Sequence, residues 1–91
     1  MGLDIGTVKI DYLPRPGGAA YDFAWHLAEE CSCASDGNAF GWFEKKEVRK
    51  LAQRWLKREP PKSDQEKAEV MTWIKGLPWD EVRMVTLHFN W

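Results

Sequence analysis

The segment 44–61 constrains the fold most strongly, because it reads as one amphipathic helix with two contrasting faces. At about 3.6 residues per turn, its apolar side chains gather on one side of the helix. These side chains are Val48, Leu51, Ala52, Trp55 and Leu56. The other side collects six cations, here called the basic face: Lys46, Arg49, Lys50, Arg54, Lys57 and Arg58. The pattern predicts a helix over 45–58 that packs on a core with one half and carries the basic face on the other.

Alternation of apolar and polar residues marks two further segments, 7–13 and 82–91. Alternation over this length predicts a half-buried strand in each. The apolar positions are Val8, Ile10 and Tyr12 in the first segment, and Val85, Leu87, Phe89 and Trp91 in the second. Segment 38–43 also predicts a short strand, since Phe40 and Trp42 alternate and Gly41 disfavours a helix interior.

Two more amphipathic stretches predict helices before and after the basic one. The first begins at Ala19, has an acidic outer side and is expected to stop near residues 35–38. The other begins with the strongest helix-start signal in the chain, a capping box formed by Ser63 and Glu66. It is expected to end at Gly76 in a left-handed conformation.

These elements predict an α+β fold with the order β-α-(β)-α-α-β, in which the strand in parentheses is 38–43. We expect a small two-layer sandwich, with a sheet of two or three strands covered on one face by three helices. A chain of 91 residues suffices for one domain, 1–91, with a modest core of its own.

The net charge is only −1, but the charge is unevenly distributed. Residues 1–44 hold two basic and seven acidic side chains, whereas residues 45–62 hold eight basic and two acidic ones. Such an asymmetry steers partners without specifying a fold. The N-terminal residues lack the features of a signal peptide, and no apolar run approaches the roughly 18 residues of a membrane helix. We therefore expect a cytoplasmic protein with no membrane association.

The sequence offers few residues for catalysis or metal binding. Cys31 and Cys33 are too close for an unstrained bridge and lack the second ligand pair of a zinc site, so reduced thiols are expected. Asp11 and His88 would meet on the polar sheet face if the terminal strands paired, but no nucleophile or oxyanion motif accompanies them. The expectation is a protein that is not an enzyme and needs no cofactor or metal.

The basic face is the main candidate binding site, together with Trp73 and Trp79, which lie at the borders of the apolar surfaces. Tryptophan is enriched among the residues that dominate protein interfaces. A protein partner with an acidic surface is the favoured interpretation, direct nucleic-acid binding by helix 45–58 is the alternative, and a solvated face without any role stays open. The overall profile is similar to that of small phage and mobile-element inhibitors, including proteins that block CRISPR complexes. Either a monomer or a homodimer is compatible with the sequence.

Overall fold

The α+β class is confirmed in the computed structural model, which describes residues 2–7, 9–31, 33–58 and 62–91. Three helices and three strands follow one another along these residues. They are α1 (Gly18–Glu29), β1 (Cys33–Ser35), β2 (Asn38–Glu44), α2 (Lys45–Leu56), α3 (Asp64–Lys75) and β3 (Met84–Asn90).

The strands form one antiparallel sheet in the order β1-β2-β3. The expected strand 38–43 is confirmed as β2, with one more residue. The first helix, however, ends at Glu29, and the predicted continuation towards residue 35 was wrong, since Cys33–Ser35 forms β1. Asp36-Gly37 closes the β1–β2 hairpin, and Gly37 has a φ of 70°. A Cβ at Gly37 would lie 2.7 Å from the carbonyl oxygen of Trp91, so the turn requires glycine.

The predicted strand at 7–13 was wrong for the residues that the structure describes. Thr7 and residues 9–13 lie outside the sheet, while Val8 falls outside the described residues. The side chains of Ile10, Tyr12 and Leu13 are exposed. Alternation favours a strand only where a partner strand and a buried face stabilise it, and this segment obtains neither.

β3 confirms the predicted difference between the two sheet faces. Val85 and Leu87 are buried and Phe89 is half-buried beneath the helices, whereas Thr86 and Asn90 are exposed on the open face. The cross-strand pairs Phe40↔His88 and Trp42↔Thr86 place two aromatic side chains of β2 on that open face. The helices therefore cover one side of the sheet only.

The core joins all three helices to the sheet, and its centre is Phe23. Phe23 is fully buried, and its ring centroid lies 5.4 Å from that of Trp55 and 6.3 Å from that of Trp73. α3 packs against both α1 and α2. The other buried members of this cluster are Ala19, Leu27, Phe43, Val48, Ala52, Leu56, Val70, Ile74, Leu77, Val85 and Leu87. This packing holds α2 with its apolar side inward, as its sequence pattern requires.

Of the two predictions for the ends of α3, one is confirmed and the other was wrong. The capping box is confirmed: the Glu66 amide donates to Ser63 Oγ (3.1 Å), and the Ser63 amide donates to Glu66 Oε1 (3.0 Å). The left-handed conformation predicted for Gly76 was wrong, because its φ is −81°. The amides of Gly76 and Leu77 instead bond to carbonyls three or four residues earlier, so a right-handed turn satisfies the helix end.

None of the helices in the described residues has the length and apolar character needed to cross a membrane.

Candidate binding surface

The basic face lies on the solvent side of α2, where the core packing of that helix directs it. Val48 and Ala52 are fully buried on the inner side, and all six side chains of the basic face are exposed. Among the described residues the only ion pair joins Lys50 Nζ to Glu47 Oε1, at 3.8 Å. An exposed pair of this kind contributes about 0–1 kcal/mol and leaves most of the positive charge available. Within the described part of the chain, carboxylates therefore leave most cations of this surface without an ion-pair partner.

The helix is shorter than the predicted 45–58. It ends at Leu56, and Lys57 is its C-terminal capping residue. The Arg58 amide donates to the Trp55 carbonyl (3.2 Å), which places Arg58 in the turn that follows. Cations at this end favour the negative pole of the helix dipole. Pro60 and Pro61, which were expected to stop the helix, lie outside the described residues.

The opposite charge lies on a different helix. α1 and the residue that caps it expose Asp22, Glu29 and Glu30, whereas residues 45–58 hold seven basic side chains against the single acid Glu47. A charge distribution of this kind orients an approaching charged partner before contact. The basic face is thus one pole of a dipolar surface.

Trp79 lies next to the start of α2 and is half-buried. Its Nε1–H donates to the Ile74 carbonyl (2.8 Å), and the Lys45 ammonium lies 6.0 Å from its ring centroid. The hydrogen bond fixes the indole against the end of α3, and the nearby cation is within the range of a cation–π contact. Trp79 therefore combines a structural contact with a position beside the basic helix.

Trp73 belongs to a different part of the surface. Its half-buried ring packs edge-on against Phe23 and lines a groove between α1 and β3, where Tyr21 and Trp25 also lie. The structure therefore associates Trp73 with this groove, while Trp79 stays with α2.

The two most exposed tryptophans were not among the predicted site residues. Trp42 on the open sheet face is 68% exposed, and Trp91 is 56% exposed, with its ring centroid 5.4 Å from that of Trp25. The sequence of β2 does contain a pattern that indicates the exposure of Trp42, because Ala39, Gly41 and Phe43 alternate with the residues that face outward. Which of the two alternating sets is buried depends on where the helices pack, and alternation alone does not predict that.

His88 contacts an amide and a hydroxyl group, and the described residues do not show the pairing of terminal strands that would have placed Asp11 beside it. Its Nε2 lies 3.1 Å from Asn38 Oδ1, and its Nδ1 lies 3.4 Å from the hydroxyl of Tyr12. Asp11 is exposed and is not among the hydrogen-bond partners described for His88. An amide therefore contacts the imidazole of His88, whereas a carboxylate orients the histidine in catalytic pairs.

Both cysteines are free thiols in different environments. Cys31 is half-buried and its Sγ donates to the Leu27 carbonyl (3.5 Å), whereas Cys33 is exposed on β1. Burial, with a smaller contribution from the charge of Cys33, raises the pKa of the Cys31 thiol above its ordinary value. Within the described residues, no three His, Cys, Asp or Glu side chains converge in a way that could hold a metal ion.

A scan against protein-family models gives no match, and no curated protein or solved structure is significantly similar to the chain.

Proposed function

We propose that the protein is a non-enzymatic binding module that occupies an acidic surface of a partner protein through the basic face of α2. One observation carries this proposal: α2 is fixed by buried Val48 and Ala52 and, together with the two residues that follow it, exposes six cations. Of these, only Lys50 has a carboxylate partner among the described residues. A rigid helix loses little conformational entropy on binding, and unpaired cations are available to complementary carboxylates.

A protein partner suits the charge distribution better than a nucleic acid does. Phosphate contacts supply most of the affinity of nucleic-acid binders, which are commonly strongly basic. This chain has a net charge of −1 and exposes acidic side chains on α1. A long polyanion would meet that acidic pole, whereas a protein with a local acidic patch meets only the basic face.

The more specific form of the proposal is an inhibitor from a phage or other mobile element. It would block a CRISPR-like complex, or another nucleic-acid-handling complex of the host, by covering part of its surface. Small size and opposite charge poles support this form, because a small rigid protein inhibits by occupying a surface and requires no chemistry of its own.

Site-directed photo-crosslinking tests which class of partner meets α2. The crosslinking residue replaces Gln53, which is exposed on α2 between Lys50 and Arg54, and in a matched control it replaces exposed Gln65 on α3. We expect the Gln53 position to capture the same protein from a host lysate before and after nuclease treatment, and the Gln65 position to leave it uncaptured. Equal capture from both positions, or no protein captured from the Gln53 position, would contradict the proposal.

Direct titration decides the alternative of nucleic-acid binding. Labelled duplex DNA and single-stranded RNA are titrated with the protein at low and at physiological salt. We expect no saturable binding at either salt concentration. Saturable binding at low salt that falls steeply with added salt would assign the basic face to phosphate contacts instead.

A further inference from the structure

One edge of the sheet is formed by β3, and the register identifies which of its backbone groups face outward. The Trp91 amide donates to the Gly37 carbonyl (2.8 Å), and the Lys45 amide donates to the Arg83 carbonyl (2.9 Å). Hydrogen-bonded and non-hydrogen-bonded pairs alternate along an antiparallel ladder, so the odd-numbered residues of β3 bond to β2. The even-numbered residues consequently direct their N–H and C=O groups away from the sheet.

The outward backbone groups at the start of this edge are hydrogen-bonded, unlike those described further along the strand. At Met84, the amide donates to Asp80 Oδ1 (2.8 Å) and the carbonyl accepts from the Asp80 amide (2.9 Å). Thr86, His88 and Asn90 follow, and within the described residues their outward backbone groups have no hydrogen-bond partner in the protein. As far as the described residues show, three donors and three acceptors remain for another strand, spaced at two residues, or about 6.6–6.8 Å.

This edge lacks the usual protection against pairing. Residues 84–91 contain no Lys, Arg, Asp, Glu or Pro, and they are rich in residues that favour strands. Natural proteins commonly protect an open edge with charges, prolines or bulges, because an unprotected edge pairs with other chains. The composition of β3 is that of a strand with a neighbour on both sides.

A groove beside the edge has room for such a neighbour. A cavity of about 700 Å³ lies between β3, α1 and residues 9–16, which run past the strand without bonding to its backbone. Trp25, Phe89 and Trp91 are among its apolar lining residues. The charged lining residues are Lys9, Asp11 and Arg15, which leave one net positive charge. The groove therefore combines open backbone groups, apolar contacts and a mild preference for acidic residues.

We propose that this groove binds an extended peptide segment of a partner protein, which pairs with Thr86, His88 and Asn90 as a fourth strand. The segment has apolar side chains at every second position, which pack against Trp25 and Trp91, and an acidic side chain that meets Lys9 or Arg15. Backbone pairing provides the affinity, and alternate side chains provide the specificity. This site is built from other elements than the basic face and does not depend on the function proposed for it.

The geometry favours a peptide over a second copy of the chain. Residues 9–16 line this groove in every copy of the chain, so pairing β3 with the β3 of another molecule would bring two such segments to one seam. A single extended peptide brings no second segment of this kind to the edge.

The test uses the full chain and peptides of about eight residues, selected from a random display library on the immobilised protein. We expect the selected peptides to alternate apolar with polar or acidic residues. In complex, they should protect the amides of Thr86, His88 and Asn90 from hydrogen exchange. N-methylation at alternate peptide amides should weaken binding by at least about tenfold, since it removes donors to the edge. Because only the peptide is modified in this experiment, the protein itself stays unaltered.

Two substitutions at one position test the edge from the protein side. Thr86→Pro removes an outward amide without removing a bond to β2, and proline is tolerated at such edge positions. We expect it to lower affinity for the selected peptide at least about tenfold, while Thr86→Ala stays within about twofold. Arg54→Glu combined with Arg58→Glu should leave peptide binding unchanged, which separates this site from the basic face.

Three results would overturn the proposal. They are a library that yields no binding peptide, selected peptides that tolerate N-methylation, and a dimer in sedimentation that Thr86→Pro abolishes. The last result would assign the edge to a second copy of the chain.

Discussion

Cys31 and Cys33 are separated by one residue and differ in the property that controls thiol reactivity. Cys31 lies against the core and donates to the Leu27 carbonyl, while Cys33 is exposed on a three-residue edge strand. The thiolate is the reactive form, and burial disfavours it. The raised pKa of Cys31 therefore keeps that thiol protonated at a pH where an ordinary cysteine begins to ionise.

We predict that Cys33 reacts with a disulfide reagent faster than Cys31, by about tenfold or more near pH 8. The measurement compares the single-thiol variants Cys31→Ala and Cys33→Ala. The pH at which the Cys31 rate reaches half of its maximum should lie above the ordinary pKa of a cysteine thiol. Both thiols should react at similar rates in denaturant. Equal rates in the folded protein would contradict the environments described here.

Tryptophan positions illustrate which properties of single residues were predictable. Trp55, at the centre of an apolar arc, was expected to pack on the core and does so. Trp79 follows a proline in a loop, and its hydrogen bond to the Ile74 carbonyl has no signature in the sequence. Trp42 is exposed because the helices cover the other face of β2, which is a tertiary property. In β2, local periodicity thus predicts which residues share a face but not which face is buried.

At the scale of elements, α3 has the best-defined start in the chain. The reciprocal bonds between Ser63 and Glu66 satisfy two backbone amides that would otherwise lack partners at the helix N-terminus. The bonds from the Ser63 backbone and side chain lower the pKa of the Glu66 carboxyl, because they favour its ionised form. This contribution is present above the ordinary pKa of glutamate and is lost as the pH falls through the lowered value.

We predict that Ser63→Ala lowers the free energy of unfolding by about 1 kcal/mol at neutral pH. The cost should shrink near pH 3, since protonation of Glu66 weakens the same box in the wild type. Urea denaturation at the two pH values provides the measurement. Thr72→Ala, on the exposed side of the same helix, is the control and should change the free energy by less than about 0.5 kcal/mol. An equal cost for both variants would refute the role of the cap.

The helices were predictable because each carries its own signal over twelve residues, and the short strands were not. β1 has three residues, too few for any periodicity, although the Asp36-Gly37 turn is a recognised hairpin signal that the first helix pattern obscured. The segment 7–13 has the alternation of a strand, but its described residues, Thr7 and 9–13, pair with no strand of the sheet. Pairing is a non-local property, so alternation alone predicted too much at one end of the chain and missed β1.

For the whole molecule, the arrangement of charge matters more than the net value of −1. The basic face could be read from the sequence, because a helical wheel fixes its geometry and solvent exposure follows from the apolar half. The groove beside β3 could not be read, since it depends on the path of residues 9–16 and on the strand register. The molecule thus offers a charged surface on α2 and a backbone edge on β3.

The most direct measurement of the central claim is the association rate with the protein captured through α2. It compares wild type with Arg54→Glu/Arg58→Glu and with a control, Lys67→Glu/Lys75→Glu, which makes the same charge change on exposed residues of α3. We predict that the α2 variant associates about tenfold or more slowly than wild type at low salt, and that added salt reduces this difference in rate. The association rate of the control should stay within about threefold of the wild-type rate. Equal slowing by both variants would show that only net charge matters, and it would contradict binding through the basic face.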